Sequence, residues 1–115
     1  MNVERIDYLE WPTKDIEATK TFFNTVFGWE FTDYGPDYCD FLNDNINGGF
    51  YSSDKVSDVD HGSALIVLKS DNIEASLEKV QNAGAVIVKE IFSFPGGRRF
   101  HFKEPGGNEL AIWSE

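Results

Sequence analysis

Residues 15–28 read DIEATKTFFNTVFG and residues 72–84 read NIEASLEKVQNAG. Asp15-Ile16-Glu17-Ala18 recurs as Asn72-Ile73-Glu74-Ala75 at an offset of 57, and the closing glycines, Gly28 and Gly84, recur at an offset of 56, about half of the 115-residue chain. In each copy an Asp or Asn side chain can accept hydrogen bonds from the free N–H groups of a following helix. Ile16, Phe22, Phe23, Val26 and Phe27 then mark one helical face, as Ile73, Leu77, Val80 and Gly84 do in the second copy. A glycine suits the left-handed residue that ends a helix, so both helices are expected to stop near Gly28 and Gly84.

Working outward, a strand candidate precedes each cap, RIDYLEW and SALIVLK. Three more follow each helix: WEFTDY, YCDFL and NGGFYS, then AVIVKEI, RRFHFK and NELAIW. Turn residues separate them at Gly35-Pro36-Asp37, Pro95-Gly96-Gly97 and Pro105-Gly106-Gly107. Each half thus reads β-α-β-β-β. The predicted class is α+β: two paired modules, about 1–52 and 63–115, in a curved, half-open mixed sheet with helices outside, joined by a polar linker at about 53–62. The concave face of such a sheet is the expected place for function.

Composition narrows the classes. The chain is 41% hydrophobic and 15% aromatic, enough for one core and one domain. No apolar run reaches the ~18 residues of a membrane span. The opening MNVERIDYLEW has neither the basic start nor the apolar stretch of a signal peptide. The single cysteine, Cys39, reads as a small core residue and fits a reducing compartment. A cytoplasmic location is therefore expected. The 20 acidic against 10 basic residues give a net charge of −10, which repels nucleic acid and anionic membranes and favours a cationic ligand.

The two modules, the DIEA cap before FFNTVFGW and the ending FPGGRRFHFKEPGGNELAIW together resemble the vicinal oxygen chelate superfamily. That group includes glyoxalase I, extradiol dioxygenases, methylmalonyl-CoA epimerase, and fosfomycin and bleomycin resistance proteins. The resemblance implies, for metal-dependent members, four side-chain ligands on the first and last strand of each module. Carried over, those positions fall on Tyr8, Leu65, Ala111 and somewhere in Asn47 to Phe50. Leucine and alanine have no lone pair to give, and a phenol with pKa ~10 is a poor ligand near neutral pH. No metal and no other cofactor is therefore expected. The closer resemblance is to the small, metal-lacking bleomycin-resistance-type members, which bind a small molecule, often across a homodimer.

Strand alternation adds Glu10 to Tyr8, Val67 to Leu65, and Glu109 and Trp113 to Ala111. The expected ligand site is Tyr8, Glu10, Leu65, Val67, His101, Glu109, Ala111 and Trp113, for a planar, aromatic or partly cationic molecule. His101 belongs to it only if Phe100 and Phe102 face the helices; His61 falls in the linker and is expected to be exposed. The bland alternative is that these side chains fill a closed core, with Glu10 and Glu109 at strand ends in solvent. No catalytic residue can be named. A glyoxalase- or dioxygenase-type enzyme, a lyase or an oxidoreductase, would need a displaced ligand set from His61, His101, Glu10 and Glu109. A vestigial pocket serving association is the third possibility. FPGGRR can form a backbone anion nest with Arg98 or Arg99 beside it, for a phosphate or carboxylate, but a plain turn is the favoured explanation, and the paired glycines form no nucleotide-binding fingerprint.

Overall fold

The computed structural model describes residues 2–43 and 45–115. Its elements run β1 (Tyr8–Thr13), α1 (Ile16–Phe27), β2 (Glu30–Asp33), β3 (Tyr38–Leu42), β4 (Asn47–Ser52), β5 (Ile66–Lys69), α2 (Ile73–Asn82), β6 (Val86–Phe94), β7 (Gly97–Lys103) and β8 (Glu109–Ser114). The strands form two four-stranded mixed sheets, β1-β4-β3-β2 and β5-β8-β7-β6. In each, the first strand of the half pairs in parallel with the last, and the other pairings are antiparallel. The α+β class with two β-α-β-β-β modules is what the repeat predicts.

The repeat copies its capping chemistry in detail. Asp15 accepts from the Ala18 N–H at 3.0 Å and Asn72 from the Ala75 N–H at 3.1 Å. Before each cap a hydroxyl accepts from the cap's own N–H, Thr13 for Asp15 and Ser70 for Asn72. Each such hydroxyl also bonds a second one within the helix: Thr13 to Thr19 at 2.7 Å, Ser70 to Ser76 at 2.6 Å. The helices end as expected near the glycines, with Gly28 at φ 74° and Gly84 at φ 97°.

The core lies between sheets and helices. In the first half it is an aromatic stack, with Trp29 between Phe23 (4.6 Å between centroids) and Phe41 (4.5 Å) and Trp11 on Phe50 (5.1 Å). Phe22 of α1 meets Phe102 of β7 at 5.8 Å, so the first helix packs against the second sheet's aromatics. Cys39 is fully buried here, and burial raises its thiol pKa, in keeping with a core role.

A polar joint fixes the halves to each other. Glu104, 2% exposed in the β7–β8 turn, accepts from the Thr19 hydroxyl at 3.0 Å, from Asn108 Nδ2 at 2.9 Å and from the Gly106 N–H. Burial is the largest influence on this carboxyl and pushes its pKa up, against the lowering effect of those donors. Asn108 Nδ2 also donates to the Pro12 carbonyl at 2.8 Å, and Lys14 N–H donates to the Gly106 carbonyl at 3.2 Å. A Cβ on Gly106 would collide with the Thr13 and Thr19 hydroxyls, so only glycine fits. EPGGN is thus an inter-module clasp as well as a turn.

Candidate functional site

Period-two alternation gives each sheet one face toward the helices and one open face. On the second sheet Phe100, Phe102, Leu110 and Ile112 are buried toward the helices. His101, Glu109, Ala111 and Trp113 therefore take the opposite face, as the sequence reading requires if the phenylalanines point inward. Register places Ala111 between Val67 of β5 and His101 of β7, and Trp113 beside Arg99.

His101 and Glu109 form a buried pair. They are 1% and 4% exposed, and His101 Nδ1 lies 2.9 Å from Glu109 Oε2. Glu109 Oε1 accepts from the Val59 N–H at 3.2 Å, and the Glu109 N–H donates to the Ser57 carbonyl at 2.8 Å, so the linker covers this end of the face. Nδ1 is engaged by Glu109, which leaves Nε2 as the imidazole's second polar point. That nitrogen is buried and has no partner. The other buried side-chain nitrogen without a partner, among the described residues, is Arg99 Nε, two positions along the same strand face.

The Arg99 guanidinium lies over two rings, 5.4 Å from the Phe92 centroid and 5.7 Å from that of Phe94. Phe94 approaches Trp113 at 6.2 Å, and Lys69 Nζ stands 5.2 Å over the Trp113 ring. Val67, Phe94, Arg99 and Trp113 line a cavity of ≈ 210 Å³.

The first sheet's open face has different chemistry. It carries Tyr8 and Glu10 of β1, Tyr38 and Asp40 of β3, and Gly49 and Tyr51 of β4. The Tyr8 hydroxyl donates to that of Tyr38, which donates to Glu10 Oε2 at 3.0 Å. Burial, then the bonds to Tyr8 and Glu10, push the Tyr38 phenol well above its ordinary pKa. A Cβ at position 49 would strike the Tyr38 hydroxyl, so the glycine makes room for this network. Nearby, the Asp40 charge is the main cause that raises the Tyr34 phenol.

Three larger cavities lie between the modules, one of ≈ 530 Å³ on the helix side between α1 and Pro105 and two beside β5. Of the latter two, one of ≈ 490 Å³ is walled by Leu9, Trp11, Trp29, Phe41 and β5; one of ≈ 550 Å³ continues past Phe27 and Leu68 toward Lys79. All three offer volume, but neither unpartnered nitrogen lies in their walls. The buried, unpartnered nitrogens lie instead on the second sheet's open face.

The residues singled out from sequence divide between the sheets. Tyr8 and Glu10 lie on the first; Val67, His101, Glu109, Ala111 and Trp113 lie on the second; none of these four cavities is lined by both sets. Leu65 is half-buried just before β5, and Val67 is the residue in register with Ala111. Ala111 has no exposed surface. Glu10 is exposed, whereas Glu109 is held by His101 rather than pointing to solvent. His61 is exposed in the linker and bonds Asp58 at 2.6 Å, which lowers that carboxyl's pKa. Of the displaced ligand set, only His101 and Glu109 meet. Among the described residues no three His, Cys, Asp or Glu side chains cluster as a metal site requires.

Phe94 and Tyr38 were not among the expected site residues, and Arg99 was named only as a neighbour of the FPGGRR turn. Alternation alone carries the signal: in RRFHFK, Arg99 shares a face with His101, and in YCDFL, Tyr38 shares one with Asp40. The bulges along β6 carry no such signal, and they set which β6 residues oppose Arg99 and His101.

Solved structures share this architecture. The fosfomycin resistance protein FosX from Listeria monocytogenes, solved with Mn(II) and a dihydroxypropylphosphonic acid, is 14% identical at a TM-score of 0.80, covering 97% of this chain and 90% of that one. A glyoxalase/bleomycin resistance protein/dioxygenase family enzyme from Burkholderia phytofirmans is 16% identical at a TM-score of 0.77, covering 94% and 96%. An integron cassette protein from V. cholerae is 19% identical at 0.68, covering 99% and 97%. These identities establish a shared fold. No curated protein matches the sequence. The family model for the Glyoxalase/Bleomycin resistance protein/Dioxygenase superfamily matches residues 5–112. With two β-α-β-β-β modules and that match over nearly its whole length, the chain belongs to the glyoxalase/bleomycin resistance protein/dioxygenase superfamily.

Proposed function

We propose that the protein binds a small, planar organic molecule on the open face of its sheet and does so without a metal ion. The observation that carries this reading is the aliphatic pair Val67 and Ala111, side by side in register at the centre of that face. Neither offers a donor atom to a cation. On the first sheet, Gly49 stands beside Glu10, and the Tyr8 hydroxyl is engaged by Tyr38. The residues present therefore do not fit a divalent ion. Val67, Trp113 and Phe94 do fit an aromatic ring.

The exposed apolar side chains Tyr8, Leu42 and Tyr51 of the first sheet and Val67 and Val86 of the second suit a homodimer, testable by sedimentation equilibrium. The buried Cys39 thiol suits work in the cytoplasm. Among the described residues no helix is long and apolar enough to cross a membrane.

The deciding experiment is anaerobic calorimetric titration with nickel, zinc, manganese and ferrous iron, run beside a thermal-shift screen of one- and two-ring organic compounds. The expected result is no stoichiometric metal binding tighter than about micromolar, together with organic hits whose stabilisation is lost in Trp113→Ala. Stoichiometric, sub-micromolar metal binding would instead favour a lyase- or dioxygenase-type enzyme.

A further inference from the structure

We infer that the ligand of this open face is an aromatic acid, its ring against Trp113 and Phe94 and its carboxylate on the Arg99 guanidinium; this rests on the binding reading above. The chain's overall charge of −10 points to a cationic ligand. The groups that line the face point the other way.

Arg99 has no hydrogen-bonded carboxylate among the described residues, and its Nε is buried without a partner. Its sequence neighbour shows that pairing was available. Arg98, on the opposite strand face, bonds both oxygens of Glu74, at 2.5 Å and 3.3 Å. Phe92 and Phe94 hold the Arg99 side chain from the aromatic side, leaving its planar fork pre-organised for an anion from outside the chain.

Charge on the same face agrees. Lys89, Arg99 and Lys103 lie there by register, beside Trp113, His101 and Glu109; Lys69 lies there too, but its ammonium is paired with Glu115 at 2.8 Å. Both Glu109 oxygens are already engaged, by His101 and by the Val59 N–H. A local cationic patch inside an acidic protein focuses an anion onto one place. Size agrees as well. The ≈ 210 Å³ cavity exceeds the ~150 Å³ that accepts benzene in an engineered core, so one or two fused rings fit.

The probes are 2-naphthoate, 2-naphthamide and 2-naphthylmethylammonium, titrated calorimetrically into the full chain. Wild type is expected to bind naphthoate about tenfold more tightly than the amide, and the ammonium compound least. Arg99→Gln should erase the preference for naphthoate over the amide while leaving the amide's affinity within about twofold. Arg99→Lys, which keeps the charge but loses the fork, should restore only part of it. Near-UV circular dichroism verifies that each variant is folded. Equal or tighter binding of the amide or the amine, or an undiminished preference in Arg99→Gln, overturns the inference. So does the absence of binding by all three probes. Trp113→Ala, at a residue that lines this cavity and none of the three between the modules, separates the two readings. If it blocks all three probes while naphthoate shows no advantage, the site stands and the carboxylate assignment falls. If it leaves binding unchanged, the site itself is wrong.

Discussion

The two open faces occupy equivalent places in the two modules, yet one is closed on itself chemically and the other is not. On the first sheet Tyr8 donates to Tyr38 and Tyr38 to Glu10, so these three side chains satisfy one another within the face. On the second, His101 and Glu109 satisfy one another, and Arg99 Nε and His101 Nε2 are left over. Beneath both faces the scaffolding is nearly identical, down to Thr13–Thr19 and Ser70–Ser76. The repeat conserves what folds each half; it leaves the exposed side of each strand free to differ. A face whose polar groups are mutually satisfied has little to offer a ligand, whereas unpartnered buried donors and acceptors stabilise a complex when a ligand supplies what they lack.

The joint at Glu104 holds the two faces in one frame, and breaking it should have the largest effect. Glu104→Ala leaves the Thr19 hydroxyl, Asn108 Nδ2 and the Gly106 N–H without their shared acceptor. The expected loss is about 3 kcal/mol, a fall in Tm of roughly 10 °C by differential scanning calorimetry. A change under about 1 kcal/mol would mean that apolar packing such as Phe22 against Phe102 holds the halves together alone.

A paired substitution compares the faces directly. Glu109→Ala strips the buried imidazole of its only hydrogen-bond partner among the described residues and should cost about 2 kcal/mol in urea unfolding. Glu10→Ala removes an exposed carboxylate and should cost less than about 0.5 kcal/mol. Equal losses would erase the distinction between a buried, committed carboxylate and an open one.

The smallest effect is a pH dependence on the first face. The Tyr38 pKa is raised in the folded protein, so the neutral phenol is the form the fold favours. Its contribution to stability is complete below the ordinary phenol pKa of ~10 and is lost as the pH rises through the higher folded value. Thermal melts from pH 9 upward should therefore show a steeper decline for wild type than for Tyr38→Phe. Coincident slopes would remove Tyr38 as the titrating group. Absorbance at 295 nm should show one tyrosine ionising after the others.

The fold was legible because it is written in local chemistry. A cap residue, a 3.6-residue apolar period and a terminal glycine recur at Asp15–Gly28 and Asn72–Gly84, and each is a property of a few neighbouring residues. Facing was legible too for β7 and β8, because alternation is a fixed property of extended chain. Once Phe100 and Phe102 take the helix side, His101 must take the other. The resemblance likewise led to Ala111, whose register neighbour proves to be Val67, two residues beyond the expected Leu65.

What the sequence by itself determined is therefore the module, its duplication, its superfamily and which residues of a strand share a face. Only the tertiary structure decided which of those residues meet. Glu109 finds His101 across two strands, Arg99 finds Phe92 past a bulge in β6, and Glu104 finds Thr19 from the other half of the chain. Those partnerships span separations of up to 85 residues. They depend on register, bulges and the docking of two modules, and no local pattern in the chain encodes them. The same reason explains why net charge misdirects about the ligand: it sums over the whole surface, while a binding site responds to the few groups that packing brings to its walls.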